Sequence, residues 1–203
     1  MNALQTLKTY FGYDTFREGQ ESIVESILEH RDVLAIMPTG AGKSICYQIP
    51  ALMLPGITLV ISPLISLMQD QVKALNEAGI HAAFINSSLT ENQISKALYL
   101  AAGGRYKIIY VAPERLENYE FLEFARHVEI SMVTVDEAHC ISQWGQDFRP
   151  SYLKILDFLA ALPQRPLVSA FTATATAEVR DDIIRALGLE DPFVITTGFD
   201  RPN

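Results

Sequence analysis

The chain has 203 residues, 49% of them apolar, which is enough to bury the core of one sizeable domain or of two compact small ones. A net charge of −8 and a pI of about 5.0, with lysines and arginines scattered singly, exclude nucleic-acid binding by bulk electrostatics, so any such contact has to be local. Two cysteines, Cys46 and Cys140, stand in no metal-ligand spacing; they exclude a disulfide framework and suit buried small hydrophobes in a reducing cytoplasm.

From the N-terminus, Met1 to Tyr10 reads as the start of a helix without the charged-then-apolar pattern of a secretion signal, so no export is expected. Asp32 to Met37 is a short apolar strand that runs into Pro38-Thr39-Gly40-Ala41-Gly42-Lys43-Ser44, a phosphate-binding loop. Gly40, Ala41 and Gly42 let backbone N–H groups converge on phosphate oxygens, the following helix offers its positive end, and Lys43 adds a mobile charge. The general pattern has glycine where this chain has Met37, so the match is to a Pro-Thr-Gly variant. Gly-Lys-Ser alone also fits a turn before a surface lysine; the flanking strand and helix, and a second strand carrying carboxylates, favour the loop.

Ser44 to Gln69 holds no charge and is long enough to cross a bilayer. Pro50, Pro55, Gly56 and Pro63 divide it into helix, turn and strand, so it reads as buried core with no membrane partner. Further strands fall near 57–61, 81–85, 107–111, 130–135, 166–171 and 192–197, with helical patterns over Ile65 to Ala78, Glu91 to Ala102 and Ala177 to Leu187. This alternation predicts an α/β fold, a mostly parallel sheet with helices on both faces, and neither an internal repeat nor a low-complexity linker is present.

The strand Ile130 to Val135 delivers Asp136 and Glu137 to its carboxyl end, where such sheets bind ligands; the pair equally suits capping a helix that begins near Ala138. Phosphoryl transfer to water leaves the protein mainly positioning and electrostatics. With ATP as nucleotide, Lys43 would neutralise the terminal phosphates, Ser44 and Asp136 would hold magnesium, Glu137 would polarise the attacking water, and His139 would link the site to motion elsewhere. A few residues on, Trp144 and Phe148 are separated by Gly145, Gln146 and Asp147, which argues against a buried strand or helix. Their rings offer surfaces for unstacked bases, each stack worth about 1–3 kcal/mol. The juxtaposition points to ATP hydrolysis wired to a nucleic-acid contact.

Over essentially its whole length the chain resembles the RecQ-type DNA helicases of helicase superfamily 2, whose first motor lobe is a RecA-like P-loop NTPase domain. Phe11-Gly12-Tyr13 and Phe16-Arg17-Glu18-Gly19-Gln20 resemble the adenine-recognition motif, which implies Tyr13 stacked on the base, Gln20 bonded to its edge and Arg17 as a third contact. Ser62-Pro63-Leu64 through Gln71, and Val111 through Leu116 with Arg115, resemble the two strand-tracking motifs; Arg115 equally suits a surface ion pair. Ser169 to Thr174 resembles the segment linking hydrolysis to strand movement, with Thr172 and Thr174 bonding across to Asp-Glu-Ala-His. Ser142 to Pro150 resembles the aromatic-rich loop, Arg149 binding phosphate or sensing nucleotide, although many relatives carry His where this chain has Gln146.

The resemblance implies residues 1–203 as the first lobe, with 198–203 leading to a second lobe that lies beyond this chain; the cysteine-rich zinc module that many relatives carry further downstream is not in this sequence. It implies 3′-to-5′ movement on single-stranded and partially duplex DNA, in repair and recombination, and weak ATP binding by this lobe alone. Another superfamily 2 translocase acting on RNA or DNA is the second reading, which a preference for single-stranded RNA would support. A non-motor ATP-binding module is the third, made less favourable by Glu137.

Overall fold

The computed structural model describes residues 1–198; Phe199 to Asn203, the stretch read as leading to a second lobe, lie outside the described residues. The described chain holds seven strands: β1 (Val33–Ile36), β2 (Ile57–Ile61), β3 (Ala82–Ile85), β4 (Ile108–Val111), β5 (Ile130–Val135), β6 (Leu167–Thr172) and β7 (Phe193–Thr196). They form one sheet in the order β3-β4-β2-β5-β6-β1-β7, and all its pairings are parallel. All seven were placed within a residue or two by their apolar runs, because the central strands, buried on both faces, lose the period-two alternation and read as continuous apolar segments; β1, read from Asp32, starts one residue later.

The α-helices are α1 (Ala3–Thr6), α2 (Gln20–Leu28), α3 (Lys43–Met53), α4 (Ile65–Glu77), α5 (Glu91–Ala102), α6 (Tyr119–His127), α7 (Ile155–Ala161) and α8 (Ala177–Ala186). Alternate strand residues sort them. Val33, Ala35, Val60 and Tyr110 share a core with Ile23 of α2, Tyr47 of α3 and Met68 of α4. Leu34, Leu59, Val133 and Val168 pack on the other face against Ile94 of α5, Phe121 of α6, Phe158 of α7 and Ile183 of α8. A third cluster of Leu7, Val24, Ile45 and Ile49 seats the N-terminal segment on α2 and α3.

Three local expectations are corrected. The helix begun at Met1 is a short α1 that widens into a π turn over Leu7–Phe11 and stops at Gly12 in the left-handed region. Pro50 lies inside α3 rather than dividing the segment; its ring removes one bond to the Cys46 carbonyl, and burial of seven side chains of this helix outweighs that loss. The turn after Asp136 and Glu137 is a 3-10 helix over Ala138–Ile141, so Glu137 caps no α-helix. The uncharged stretch from Ser44 is split into α3, β2 and the start of α4, and no described helix is long and apolar enough to cross a membrane.

Candidate active site

The carboxyl ends of β1, β5 and β6 bring the chemistry-bearing segments together. β1 delivers the loop Pro38–Gly42, in which Gly40 and Gly42 take φ of 85° and 78°, so that α3 begins at Lys43 with its amide end open to the cleft. A Cβ on Gly42 would lie 2.4 Å from Gln20 Nε2, so only glycine fits both this backbone and this neighbour. The Gln20 amide donates to the Gly42 carbonyl at 3.1 Å and accepts from the Arg17 backbone N–H at 2.7 Å; the Arg17 guanidinium donates to the Gly40 carbonyl at 2.8 Å. Residues read as base contacts therefore also brace the phosphate loop from behind. Tyr13 is half-exposed at the mouth, free to take a flat ring.

β5 delivers Asp136 and Glu137. Burial pushes the Asp136 carboxyl up to about 6 against the pull of Lys43, with Glu137 adding to the rise. Its backbone carbonyl accepts a hydrogen bond from the Tyr152 hydroxyl at 2.8 Å, and its Oδ1 accepts from the Glu137 N–H at 2.9 Å. Glu137 sits in the left-handed region at φ 50°, uncommon for a residue with a Cβ, which turns its carboxylate back into the cleft. There Oε1 lies 3.9 Å from Lys43 Nζ and Oε2 lies 3.5 Å from His139 Nδ1.

β6 completes the linkage. His139 Nδ1 is 2.7 Å from Thr172 Oγ1, and that hydroxyl donates its only hydrogen to the Thr174 carbonyl at 3.1 Å. Nδ1 must then be the donor to Thr172, which leaves the lone pair of a neutral His139 on Nε2. Thr172 thus bonds across to the Asp-Glu-Ala-His turn as expected. Thr174 contributes its backbone carbonyl instead; its side chain is exposed and, among the described residues, makes no hydrogen bond to that turn.

Between these segments lies a cleft of about 740 Å³ lined by Tyr13, Arg17, Gln20, Thr39, Lys43, Ser44, Asp136 and Glu137. Its floor holds residues that the sequence reading did not assign. Tyr47 of α3 shares a 2.8 Å hydrogen bond with the Tyr110 hydroxyl, Gln48 donates to the same oxygen at 3.0 Å, and Gln48 also donates to Gln71 at 3.1 Å. Tyr47 and Gln48 of α3 meet Tyr110 of β4 and Gln71 of α4 across long stretches of chain, and local spacing carries no signal for such a network. Tyr152 likewise had no signal.

Around the rim, Trp144 is 74% exposed, with its N–H bonded to Ser142 Oγ at 3.2 Å, while Phe148 is half-buried. The loop is tied to the Asp-Glu-Ala-His turn at both ends. The Ser142 N–H donates to the His139 carbonyl at 3.1 Å, and the Arg149 N–H donates to the Cys140 carbonyl at 2.8 Å. The Arg149 guanidinium reaches Asp147 at 3.4 Å, and its Nε is buried without a partner among the described residues. Ser62, at the end of β2 beside Pro63, keeps a buried hydroxyl without a partner among the described residues. Arg115 pairs with Glu91 at 3.3 Å, the surface ion pair weighed above. Cys46 and Cys140 are free and buried, both thiols pushed up to about 12 by burial.

The sequence profile of the DEAD/DEAH box helicases matches residues 17–183. The chain is 52% identical over 202 residues to the ATP-dependent DNA helicase RecQ of Bacillus subtilis, covering 99% of this chain and 34% of that protein. It is 48% identical to the ATP-dependent DNA helicase RecQ of Pasteurella multocida, covering 99% and 32%. The chain thus spans about a third of the length of these relatives. A hypothetical ATP-dependent RNA helicase from Sulfolobus tokodaii superposes with a TM-score of 0.74 at 22% identity over 97% of this chain and 57% of that one, a likeness of fold alone.

Proposed function

Because the chain belongs to the DEAD/DEAH box helicase family, we propose that it is the ATP-binding first lobe of a RecQ-type DNA helicase, which couples ATP hydrolysis to 3′-to-5′ movement along single-stranded DNA. One observation carries the reading: Lys43, Glu137, His139 and Thr172 form a continuous polar chain from the phosphate loop to the end of β6, on the turn that anchors the exposed Trp144 loop.

In this reading the loop amides and Lys43 take the ATP phosphates, and drawing Lys43 onto phosphate frees the Glu137 carboxylate to orient the attacking water. Magnesium fits the donor set: a hydroxyl from Ser44 at the start of α3 and a buried Asp136 carboxyl that its own surroundings leave short of positive charge. When bound, the ion supplies neutralisation of phosphate charge. His139 holds Glu137 on one side and Thr172 on the other through Nδ1, so a shift of Glu137 during hydrolysis is felt at the end of β6 and in the loop carrying Trp144 and Phe148. Trp144 stacks on a base; Ser62, read as a strand contact, has its hydroxyl buried and reaches a phosphate only if the turn into α4 opens. The second lobe closes the cleft and supplies further positive charge, which agrees with relatives about three times as long. Repair and recombination of DNA, and a reducing cytoplasm for the two free thiols, complete the proposal.

The test compares ATP hydrolysis by this chain alone with that of the same chain extended through its second lobe, each with single-stranded DNA and single-stranded RNA. Weak turnover alone and strong DNA stimulation of the longer chain are expected. Equal turnover by the lobe alone overturns the two-lobe assignment, and stimulation by RNA in preference to DNA moves the protein to the RNA-translocase reading.

A further inference from the structure

We propose that His139, Cys140 and Asp147 form a binding site for a borderline-soft divalent cation of the zinc class, placed where the Asp-Glu-Ala-His turn meets the aromatic loop. Cys140 Sγ lies 3.9 Å from His139 Nε2 and 3.8 Å from Asp147 Oδ2, and the three ligand atoms all fall within 4.8 Å of one another. A tetrahedral zinc-class ion, with bonds of about 2.0–2.3 Å, sets such atoms roughly 3.3–3.6 Å apart, so the two sulfur separations close by a few tenths of an ångström and the imidazole–carboxylate one, which lies within 4.8 Å, by up to roughly 1.5 Å, a movement open to the exposed Asp147 side chain. One thiolate, one imidazole and one carboxylate form a donor set that selects this class over magnesium, which asks for oxygen alone.

The hydrogen bonding of the imidazole supplies a second, independent reason. Thr172 spends its hydroxyl hydrogen on the Thr174 carbonyl and so fixes the His139 proton on Nδ1, with Glu137 Oε2 3.5 Å from the same nitrogen. Nε2 is left with its lone pair facing the Cys140 sulfur. A histidine held through one nitrogen by a hydroxyl and a carboxylate, with the other presented to a sulfur, is the arrangement that orients metal-ligating histidines.

Charge permits the ion. A thiolate and the Asp147 carboxylate cancel two positive charges, the thiol proton leaving to solvent as the sulfur–metal bond forms. Arg149 is the opposing group; its guanidinium lies 3.4 Å from Asp147 Oδ2 and also interacts with the Cys140 sulfur, so it has to turn away from both when the ion takes them. Asp147 is exposed, so the ion arrives from its side and solvent fills the fourth position. Occupation pins Asp147, the neighbour of Phe148, to the turn that carries Glu137. On the motor reading above, that clamps the aromatic loop and slows DNA-stimulated hydrolysis; the binding itself does not depend on that reading.

Titration of the chain with Co²⁺, in a non-chelating reductant, reads thiolate ligation directly through the sulfur-to-cobalt charge-transfer absorption. One equivalent is expected, displaced by Zn²⁺, with the band lost in Cys140→Ser and unchanged in Cys46→Ser. Asp147→Asn, at an exposed position that leaves folding intact, is expected to weaken binding on the order of tenfold to a hundredfold. Absence of a thiolate band in the folded wild-type chain, or a band of full strength and unaltered affinity in Asp147→Asn, overturns the site, whether or not the protein proves to be a DNA-driven motor.

Discussion

Glu137→Gln is expected to lower ATP hydrolysis of the two-lobed protein on the order of a hundredfold to ten-thousandfold while ATP binding persists. The amide keeps the shape of the side chain, but it cannot accept a proton from water. The same substitution removes the ion pair that holds Lys43 at 3.9 Å in the nucleotide-free site, so the phosphates meet a lysine that no longer has to be drawn off a carboxylate. Single-turnover hydrolysis, set beside equilibrium binding of labelled ATP, separates the two effects. Hydrolysis within roughly tenfold of wild type would remove Glu137 from the chemistry and favour a module that binds nucleotide without acting as a motor.

The largest expected effect on stability lies far from the cleft, at Asp32. This carboxylate is buried just before β1 and accepts four hydrogen bonds: from Arg165 at 3.2 and 2.6 Å, from the Val168 N–H at 3.0 Å and from the Glu190 N–H at 2.8 Å. It thereby ties the start of β1 to the start of β6 and to the turn before β7, three segments that enter the sheet side by side. Asp32→Ala leaves two backbone donors without their acceptor and Arg165 without its carboxylate, which costs about 3–5 kcal/mol. For a chain of this size that lowers the melting temperature on the order of 10 °C. Thermal unfolding followed by circular dichroism checks this; a fall of less than about 3 °C would mean that solvent replaces the network at little cost.

Asp32 also shows which parts of the molecule local sequence carries. The sheet was legible because each central strand is a short run of Ile, Val or Leu bounded by turn residues, and the phosphate loop and Asp136-Glu137 were legible because their chemistry needs fixed residue types in consecutive positions. Asp32 was read only as the first residue of an apolar strand, since its partner Arg165 is 133 positions away and no period links them. The floor of the cleft was hidden for the same reason: Tyr47 and Tyr110 meet through the fold, 63 residues apart. Gln20 and Arg17 were assigned to a base on resemblance, while their bracing of the phosphate loop depends on α2 and the loop lying side by side, which composition does not encode. The helix Lys43–Met53 was foreseen at its start but not past Pro50, where the decisive term is burial against α2, α1 and β5 rather than the residue's own preference. Thr174 was given a side-chain bond across to the Asp-Glu-Ala-His turn; it instead accepts from the Thr172 hydroxyl through its backbone carbonyl, a distinction that sequence does not contain.

The central claim is that the turn holding Glu137 and His139 transmits strand binding at Trp144 to ATP hydrolysis. The direct measurement is the steady-state hydrolysis rate of the chain extended through its second lobe, with and without single-stranded DNA, for wild type and Trp144→Ala. Trp144 is mostly exposed and belongs to none of the buried core clusters among the described residues, so the variant is expected to fold and to keep its DNA-independent rate. Strong stimulation by DNA in the wild type, and stimulation cut at least about tenfold in Trp144→Ala, as loss of one base stack predicts, is the expected result. Equal stimulation in both proteins, or none in either, contradicts the account.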